Sequence, residues 1–287
     1  MALTIAKPHP RFCAEISGVD LAGPIDEATF GAISDAFDTH AVLVFRGQKL
    51  DDARQVAFSK RFGPLERNIS DALGGVAEIA NLSNIDRDGA VFAAGDARAL
   101  FLAGNQYWHT DSSFKVMPAI ASALSAREVP PEGGETEYAD MRAAYDALGD
   151  AEKRKLEDLV AEHSYGYSQG KISLDAMETE EIDALPPVRH PMVRVHPATG
   201  RKALYIGRHA SRIVGWPVDE GRAYLDDLLE RATVAENRYS HSWRVGDLVM
   251  WDNRRVLHRG RPYDIKYRRV MHRTTIADPA PGNPWAL

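Results

Sequence analysis

The sequence has little cysteine and no long apolar run, and each absence excludes a class of protein. Cys13 is the single cysteine among 287 residues, which excludes an internal disulfide and a four-thiolate zinc or iron–sulfur site. No uncharged apolar stretch reaches the roughly 18 residues of a membrane span, and residues 1–10 lack the apolar segment of a signal peptide. We therefore expect a cytoplasmic protein without a membrane partner.

Motifs for the common nucleotide and redox cofactors are missing as well. The chain has no G-x-G-x-x-G fingerprint, no P-loop and no C-x-x-C pair. Its formal net charge of −6 argues against nucleic acid as a partner, because phosphate binding requires a dense basic surface. With 44% hydrophobic and 26% charged residues the composition is globular. An enzyme or a binding protein for small molecules is what remains.

The apolar pattern predicts a mainly β protein with flanking helices, an α+β arrangement. The clearest helix follows Pro24, where Asp26 can cap the first turn. In the C-terminal third, short strands recur about every ten residues with little helix between them. Because this spacing is typical of a jelly roll, we expect a double-stranded β-helix core. No repeat or linker divides the chain, so residues 1–287 are expected to form a single domain.

Two stretches without clear periodicity are candidate lids. They cover about residues 66–104 and 164–190, and a charged helix from Asp150 to about His163 is expected just before the second. Long loops inside a compact domain are usually functional or mobile. We therefore expect these two segments to be functional or mobile.

The sequence His109-Thr110-Asp111 offers two metal-ligating side chains. Residues i and i+2 of a strand share a face, so both could bind one ion. Alone this spacing is weak evidence, since about one chance match is expected, and a surface turn is the alternative. His258 supplies a third ligand downstream. Two histidines and one carboxylate leave positions open for a cosubstrate and oxygen on iron(II), whereas zinc prefers a tetrahedral site.

A basic segment surrounds that third ligand. Residues 254–273 hold eight basic side chains and one acidic one. Such a run is usually a solvated face, and a nucleic-acid stripe is another interpretation. In a strand, however, Arg269 and Arg273 would share a face, and inward arginines are costly unless they meet anions. The planar guanidinium matches a carboxylate, so the pair predicts two carboxylates beside one metal.

A rival motif lies in the second candidate lid. Residues 166–170 match G-x-S-x-G, the nucleophile elbow of serine hydrolases, with Ser168 as the nucleophile. The elbow requires a buried strand before the serine, whereas a charged helix is expected here. A serine hydrolase remains an alternative of a different class, as does a zinc hydrolase that shares the three metal ligands.

Six segments together resemble the iron(II)- and 2-oxoglutarate-dependent dioxygenases of the taurine dioxygenase group, over nearly the full length of the chain. Within that group the similarity is greatest to the 2,4-dichlorophenoxyacetate (aryloxyalkanoate) dioxygenases. The segments are AVLVFRGQ (41–48), FGPLE (62–66), NQYWHTDSSF (105–114), PPEGGETEYADMRAAYDAL (130–148), VGDLVMWDNRRVLHRGRPYD (245–264) and RRVMHRTT (268–275).

The resemblance implies a catalytic metal centre and a cosubstrate site. Its metal ligands would be His109, Asp111 and His258. Thr136 and Arg269 would bind the far carboxylate of 2-oxoglutarate. The cofactor would be Fe(II), with 2-oxoglutarate and O2 as cosubstrates.

The resemblance also implies a substrate pocket beside that centre. Arg273 would lie next to both the cosubstrate and the substrate's own anion, and Trp251 would place an indole near the metal. Asn105 and Phe114 would contact the substrate.

The activity implied is hydroxylation of a small anionic substrate. An aryloxyacetate would be cleaved to a phenol and a 2-oxo acid with release of succinate and CO2, as in herbicide catabolism. Taurine, another alkylsulfonate or an alkyl sulfate is the alternative substrate. Relatives imply a homo-oligomer.

Overall fold

Strands dominate the part of the chain that the computed structural model describes, which comprises residues 3–67, 76–86, 88–93, 96, 104–171 and 185–278. The strands are β1 Thr4–Ala6, β2 Ala14–Ser17, β3 Val42–Phe45, β4 Ala80–Asn81, β5 Ala119–Glu128, β6 Thr136–Asp140, β7 Val160–His163, β8 Val188–Pro191, β9 Val193–Val195, β10 Lys202–Leu204, β11 Ala210–Ile213, β12 Arg238–His241, β13 Leu248–Asp252, β14 Val256–Gly260 and β15 Val270–Ala277. The α-helices are α1 Glu27–His40, α2 Asp52–Lys60, α3 Met141–Asp146, α4 Asp150–Glu157, α5 Tyr165–Gly170 and α6 Val218–Ala232.

Two sheets pack face to face. The larger has the strand order β1-β2-β3-β13-β5-β15-β4, and the smaller has the order β12-β6-β14. Neighbouring strands in both are antiparallel except for the parallel pair of β2 and β3. Tyr138 of β6 packs against Trp251 of β13, with ring centroids 5.6 Å apart. The inner faces of the two sheets therefore share one apolar cluster.

The central strands of the large sheet are buried on both faces. Val249 and Trp251 of β13 face the small sheet, whereas Leu248 and Met250 belong to the cluster formed with α1 and α2. Strand β3 is buried at every position, as its wholly apolar sequence predicts. Polar side chains on the inner face are thus enclosed between two layers.

Helix α1 begins where the sequence predicts it. The Asp26 side chain accepts a hydrogen bond from the Thr29 N–H at 2.7 Å. At the other end, the Ala41 N–H donates to the Phe37 carbonyl, and the Arg255 guanidinium donates to the carbonyls of both Phe37 and Asp38. This buried arginine ties α1 to the segment between β13 and β14.

The prediction of a helix from Asp150 to about His163 is wrong for the second half of that segment. Helix α4 ends at Glu157, and β7 follows with alternate residues buried. Strand β7 pairs with β8 and β11 in a three-stranded sheet, and β9 pairs with β10 in a hairpin. These elements and α6 enclose a further apolar cluster.

The longest described helix, α6, has 15 residues. No helix in the described ranges combines the length and apolarity needed to cross a membrane.

Candidate active site

His109, Asp111 and His258 meet between the two sheets. One ligand atom from each lies within 4.8 Å of those from the other two, and all three residues are buried. The His109 N–H donates to the His258 carbonyl at 3.0 Å, and the His258 N–H donates to the His109 carbonyl at 2.8 Å. This backbone exchange holds the two imidazoles side by side, with ring centroids 4.1 Å apart.

The expectation that His109 and Asp111 share one face of a strand is wrong, although the two side chains do converge. His109 makes only an isolated bridge to His258, and Asp111 begins a turn. The large sheet holds the turned carboxylate in place. Ser122 of β5 donates to Oδ2 of Asp111 at 2.6 Å, and Arg273 of β15 donates to Oδ1 at 2.5 Å.

The protonation states of the three residues suit a divalent metal. Burial lowers the pKa of His109 to about 4 and lowers that of His258 well below its ordinary value. Burial alone would raise the pKa of Asp111, but the Arg273 guanidinium and the hydrogen bond from Ser122 hold it below its usual range. His109 Nδ1 lies 2.7 Å from the Tyr107 carbonyl, so Nδ1 carries the proton and Nε2 keeps a free lone pair.

The donor set also fits iron(II). Two neutral imidazoles and one carboxylate match the facial arrangement that leaves metal positions open. His258 Nε2 lies 3.7 Å from Asp111 Oδ2, too far for a hydrogen bond and consistent with an ion between them.

A cavity of about 80 Å³ opens beside these ligands. Since a water needs only about 10–15 Å³ of such space, the cavity has room for a small organic acid. Seven of the residues singled out from the sequence line its wall: Asn105, His109, Thr136, Trp251, His258, Arg269 and Arg273. Segments far apart in the chain therefore contribute to one pocket.

Phe114 lies outside that wall. Its ring packs against Tyr165 and His209, with centroid distances of 4.8 and 4.9 Å. The His209 ring lies 6.4 Å from that of His109, so Phe114 is separated from the metal ligands by one side chain.

Sequence reasoning missed six further residues of the wall. They are Leu82, Gln106, Leu124, Gly260, Arg261 and Tyr263. Gly260 could have been predicted from the sequence, because it lies two residues after His258 and therefore on the same face of β14. It pairs with Thr136 across the small sheet, and its missing side chain leaves space for a ligand.

Arg269 brings an uncompensated positive charge to the cavity. Within the described residues its guanidinium contacts the Gly134 carbonyl at 3.4 Å and lies 5.7 Å from the ring centroid of Tyr263, and it forms no ion pair. Burial lowers its pKa, which reflects the cost of a cation without an anion. Arg273 differs because it already contacts Asp111, although its Nε is buried and has no partner in the described structure.

The second of two successive glycines makes room for Arg269. Gly133 and Gly134 have φ of +73° and +71°. A Cβ on Gly134 would lie 3.3 Å from Nε of Arg269. Thr136, two residues after Gly134, lines the same cavity as Arg269.

Ser168 does not occupy a nucleophile elbow. It lies inside α5 rather than in a turn, and it is fully buried. Its hydroxyl donates to the Tyr165 carbonyl at 2.7 Å, and His209 Nδ1 lies 2.8 Å from Oγ. No carboxylate among the described residues bonds to His209, so the triad of a serine hydrolase is not formed.

Comparison with known proteins defines the class. The model of the taurine catabolism dioxygenase TauD, TfdA family matches residues 4–275, and the chain belongs to this family. It is a 2-oxoglutarate-dependent dioxygenase.

Its relatives include enzymes named for aryloxyalkanoates. The chain is 47% identical over 283 residues to the alpha-ketoglutarate-dependent 2,4-dichlorophenoxyacetate dioxygenase of Cupriavidus pinatubonensis, which covers 96% of this chain and 98% of that protein. It is 40% identical over 273 residues to the (S)-phenoxypropionate/alpha-ketoglutarate-dioxygenase of Delftia acidovorans, covering 92% and 91%. The crystal structure of AAD-2 in complex with Mn(II) and N-oxalylglycine superposes with a TM-score of 0.91 at 43% identity over 99% of both chains.

Proposed function

We propose that this protein uses Fe(II) and 2-oxoglutarate to hydroxylate an aryloxyalkanoate, of which 2,4-dichlorophenoxyacetate is the simplest candidate. The observation that carries the proposal is one cavity whose wall holds both imidazoles of the metal-binding triad and the unpaired Arg269. The names of its relatives support the choice of substrate class. We also propose a double-stranded β-helix core, a single domain over residues 1–287 and a homo-oligomer.

His109, Asp111 and His258 would hold the iron. When bound, iron supplies the activation of O2 that oxidises an unreactive C–H bond. The protein's own contribution is to fix the three ligands: the Tyr107 carbonyl sets the tautomer of His109, and Ser122 orients the Asp111 carboxylate.

Arg269 and Thr136 would hold the far carboxylate of 2-oxoglutarate. A carboxylate beside Arg269 offsets the cost of burying that guanidinium without an anion, so binding is favoured at this end of the cavity. Trp251, also in the wall, packs against His258 with ring centroids 4.6 Å apart. The cosubstrate would thus lie between Arg269 and the metal ligands.

Arg273 would be shared between Asp111 and the carboxylate of the substrate. Arg273 contacts Asp111 through another nitrogen, and its buried Nε–H has no acceptor within the described residues. That N–H can therefore donate to the carboxylate of the substrate. Holding that carboxylate aims the ether carbon at the metal, and such positioning contributes several kcal/mol to catalysis. Asn105, which lines the cavity, would contact the remainder of the substrate, whereas Phe114 would contact it only where the substrate extends beyond the described wall. The candidate lids near 66–104 and 164–190, which lie partly outside the described residues, would cover it.

The product of hydroxylation would break down without a further enzyme. Oxygen insertion into the C–H bond next to the ether oxygen gives a hemiacetal. The bond between the ether oxygen and the hydroxylated carbon of this hemiacetal then breaks. The hydroxyl proton passes to the departing aryloxide, and the hydroxylated carbon becomes a carbonyl. An aryloxyacetate therefore yields a phenol and glyoxylate, together with succinate and CO2 from 2-oxoglutarate.

The proposal is tested by measuring succinate and phenol release from a panel of aryloxyacetates, aryloxypropionates, taurine and alkyl sulfates with Fe(II) and O2. We expect equimolar phenol and succinate for at least one aryloxyalkanoate. His258→Ala should abolish both products, whereas His272→Ala, which removes an imidazole bonded to Asp52, should retain activity. Product without O2 or 2-oxoglutarate would indicate a hydrolase, and faster turnover of a sulfur-containing substrate would refute the substrate class.

A further inference from the structure

Trp243 lies directly behind Thr136. Its indole Nε1–H donates to the Thr136 hydroxyl at 3.0 Å. Trp243 is not part of the cavity wall within the described residues, whereas Thr136 is. We infer that Trp243 is a positioning residue for 2-oxoglutarate: it orients the Thr136 hydroxyl toward the far carboxylate. The inference rests on the proposed function.

The direction of the hydrogen bond carries the argument. An indole N–H can only donate, so the Thr136 oxygen must accept. The single proton of that hydroxyl is then free for another acceptor. Within the described residues the Thr136 hydroxyl has no hydrogen-bond partner other than Trp243. Because Thr136 is only 3% exposed, bulk water does not readily supply that partner. Arg269 lines the same cavity, so a carboxylate there would accept from both residues.

The indole is itself held from outside the cavity. The His241 ring packs on it in an edge-to-face arrangement, with centroids 4.5 Å apart. His241 is fully buried, and its Nε2 lies 3.2 Å from Oδ2 of Asp247. In the small sheet, His241 pairs directly with Thr136, which fixes the spacing between the two strands. The donor to Thr136 is therefore preorganised before any ligand binds.

The first test measures binding of 2-oxoglutarate to the Mn(II)-loaded protein without O2, by calorimetry. Trp243→Phe keeps an aromatic ring and removes the donor. We expect its dissociation constant to rise about 3- to 10-fold, which corresponds to one hydrogen bond. In turnover assays KM for 2-oxoglutarate should rise while kcat stays near the wild-type value. Trp216→Phe is the matched control, since Trp216 stacks on Tyr224 and should leave both constants unchanged.

A double-mutant cycle separates positioning from a structural effect. Thr136→Val removes the hydroxyl, so adding Trp243→Phe should change the dissociation constant less than twofold. With Thr136→Ser, which retains the hydroxyl, the full effect of Trp243→Phe should return. An equal loss in the wild-type and Thr136→Val backgrounds would overturn the inference.

A measurement without substitution of Trp243 covers the case in which that variant does not fold. The indole N–H resonance of Trp243 should shift when 2-oxoglutarate is added to protein loaded with diamagnetic Zn(II) in place of Mn(II), and its exchange with solvent should accelerate in Thr136→Val. An unchanged resonance in both experiments would overturn the inference. Failure of the wild type to bind 2-oxoglutarate would instead refute the proposed function, whereas equal binding by wild type and Trp243→Phe refutes only the role of Trp243.

Discussion

Arg268 and Arg269 are adjacent in the chain but have opposite surroundings. Arg268 pairs with Glu128 at the surface, and its side chain is 42% exposed. Arg269 lines the cavity without an anion. Because an exposed ion pair contributes little and a desolvated cation binds a carboxylate strongly, the two arginines should respond very differently to the same substitution.

We expect Arg269→Gln to weaken 2-oxoglutarate binding on the order of 100-fold, as for the loss of a buried charge-assisted contact. Arg268→Gln should change the dissociation constant by less than about twofold. Calorimetry with the Mn(II)-loaded protein measures both. Similar constants for the two variants would remove Arg269 from the cosubstrate site.

The arginine pair also shows what local patterns can predict. Alternation in a strand predicts that Arg269 and Arg273 face the same side; both line the cavity, although Arg269 lies one residue before β15. It does not predict the β-bulge between Val270 and Met271, because a bulge depends on pairing with β5. Nor does it predict the turn at Asp111, whose carboxylate is oriented by residues of other strands.

At the scale of elements, the turn before β6 depends on Gly133. This residue has φ of +73°, and a Cβ there would lie 2.6 Å from the Pro262 carbonyl oxygen. Gly200 has a similar φ of +66° with nothing within 4 Å of an added Cβ. Substitutions at the two glycines therefore distinguish the free-energy cost of a left-handed backbone, present at both, from the cost of steric crowding, present only at Gly133.

Gly200→Ala should lower the free energy of unfolding by about 1–2 kcal/mol, the cost of placing a side chain in the left-handed region. Gly133→Ala should lower the free energy of unfolding by more than Gly200→Ala does, because the backbone at Pro262 must move to make room for the added Cβ. It should also raise KM for 2-oxoglutarate, since Thr136 follows the turn. Denaturant unfolding and steady-state kinetics test these expectations, and equal stability losses would show that the turn relaxes without cost.

Elements with local signals follow the sequence closely, and elements made by distant pairing do not. Helix α1 has its cap and its apolar spacing within its own residues. Strand β7 instead follows a charged helix and is a strand because it lies between β8 and β11. Tertiary pairing therefore outweighs local helix preference there.

For the whole molecule, the metal-binding triad joins the two facing sheets. His258 belongs to the small sheet, whereas the Asp111 carboxylate is held by Ser122 and Arg273 of the large sheet. His109 is bonded through its backbone to His258. The net charge and composition of the chain could not predict this arrangement, because it depends on how the layers pack.

A metal that bridges the layers should stabilise the fold as a unit. A ligand at about 100 times its dissociation constant adds roughly 2.7 kcal/mol to the free energy of unfolding, enough to raise Tm by several degrees. We expect Mn(II) to produce such a rise in the wild type and in His272→Ala but not in His258→Ala. 2-Oxoglutarate should raise Tm further only when metal is present. Arg269 holds only the far carboxylate of 2-oxoglutarate, and the other end of the molecule requires the ion. Differential scanning calorimetry measures these shifts; an equal rise for His258→Ala would show that the ion binds elsewhere, and the triad would lose its assignment as the metal site.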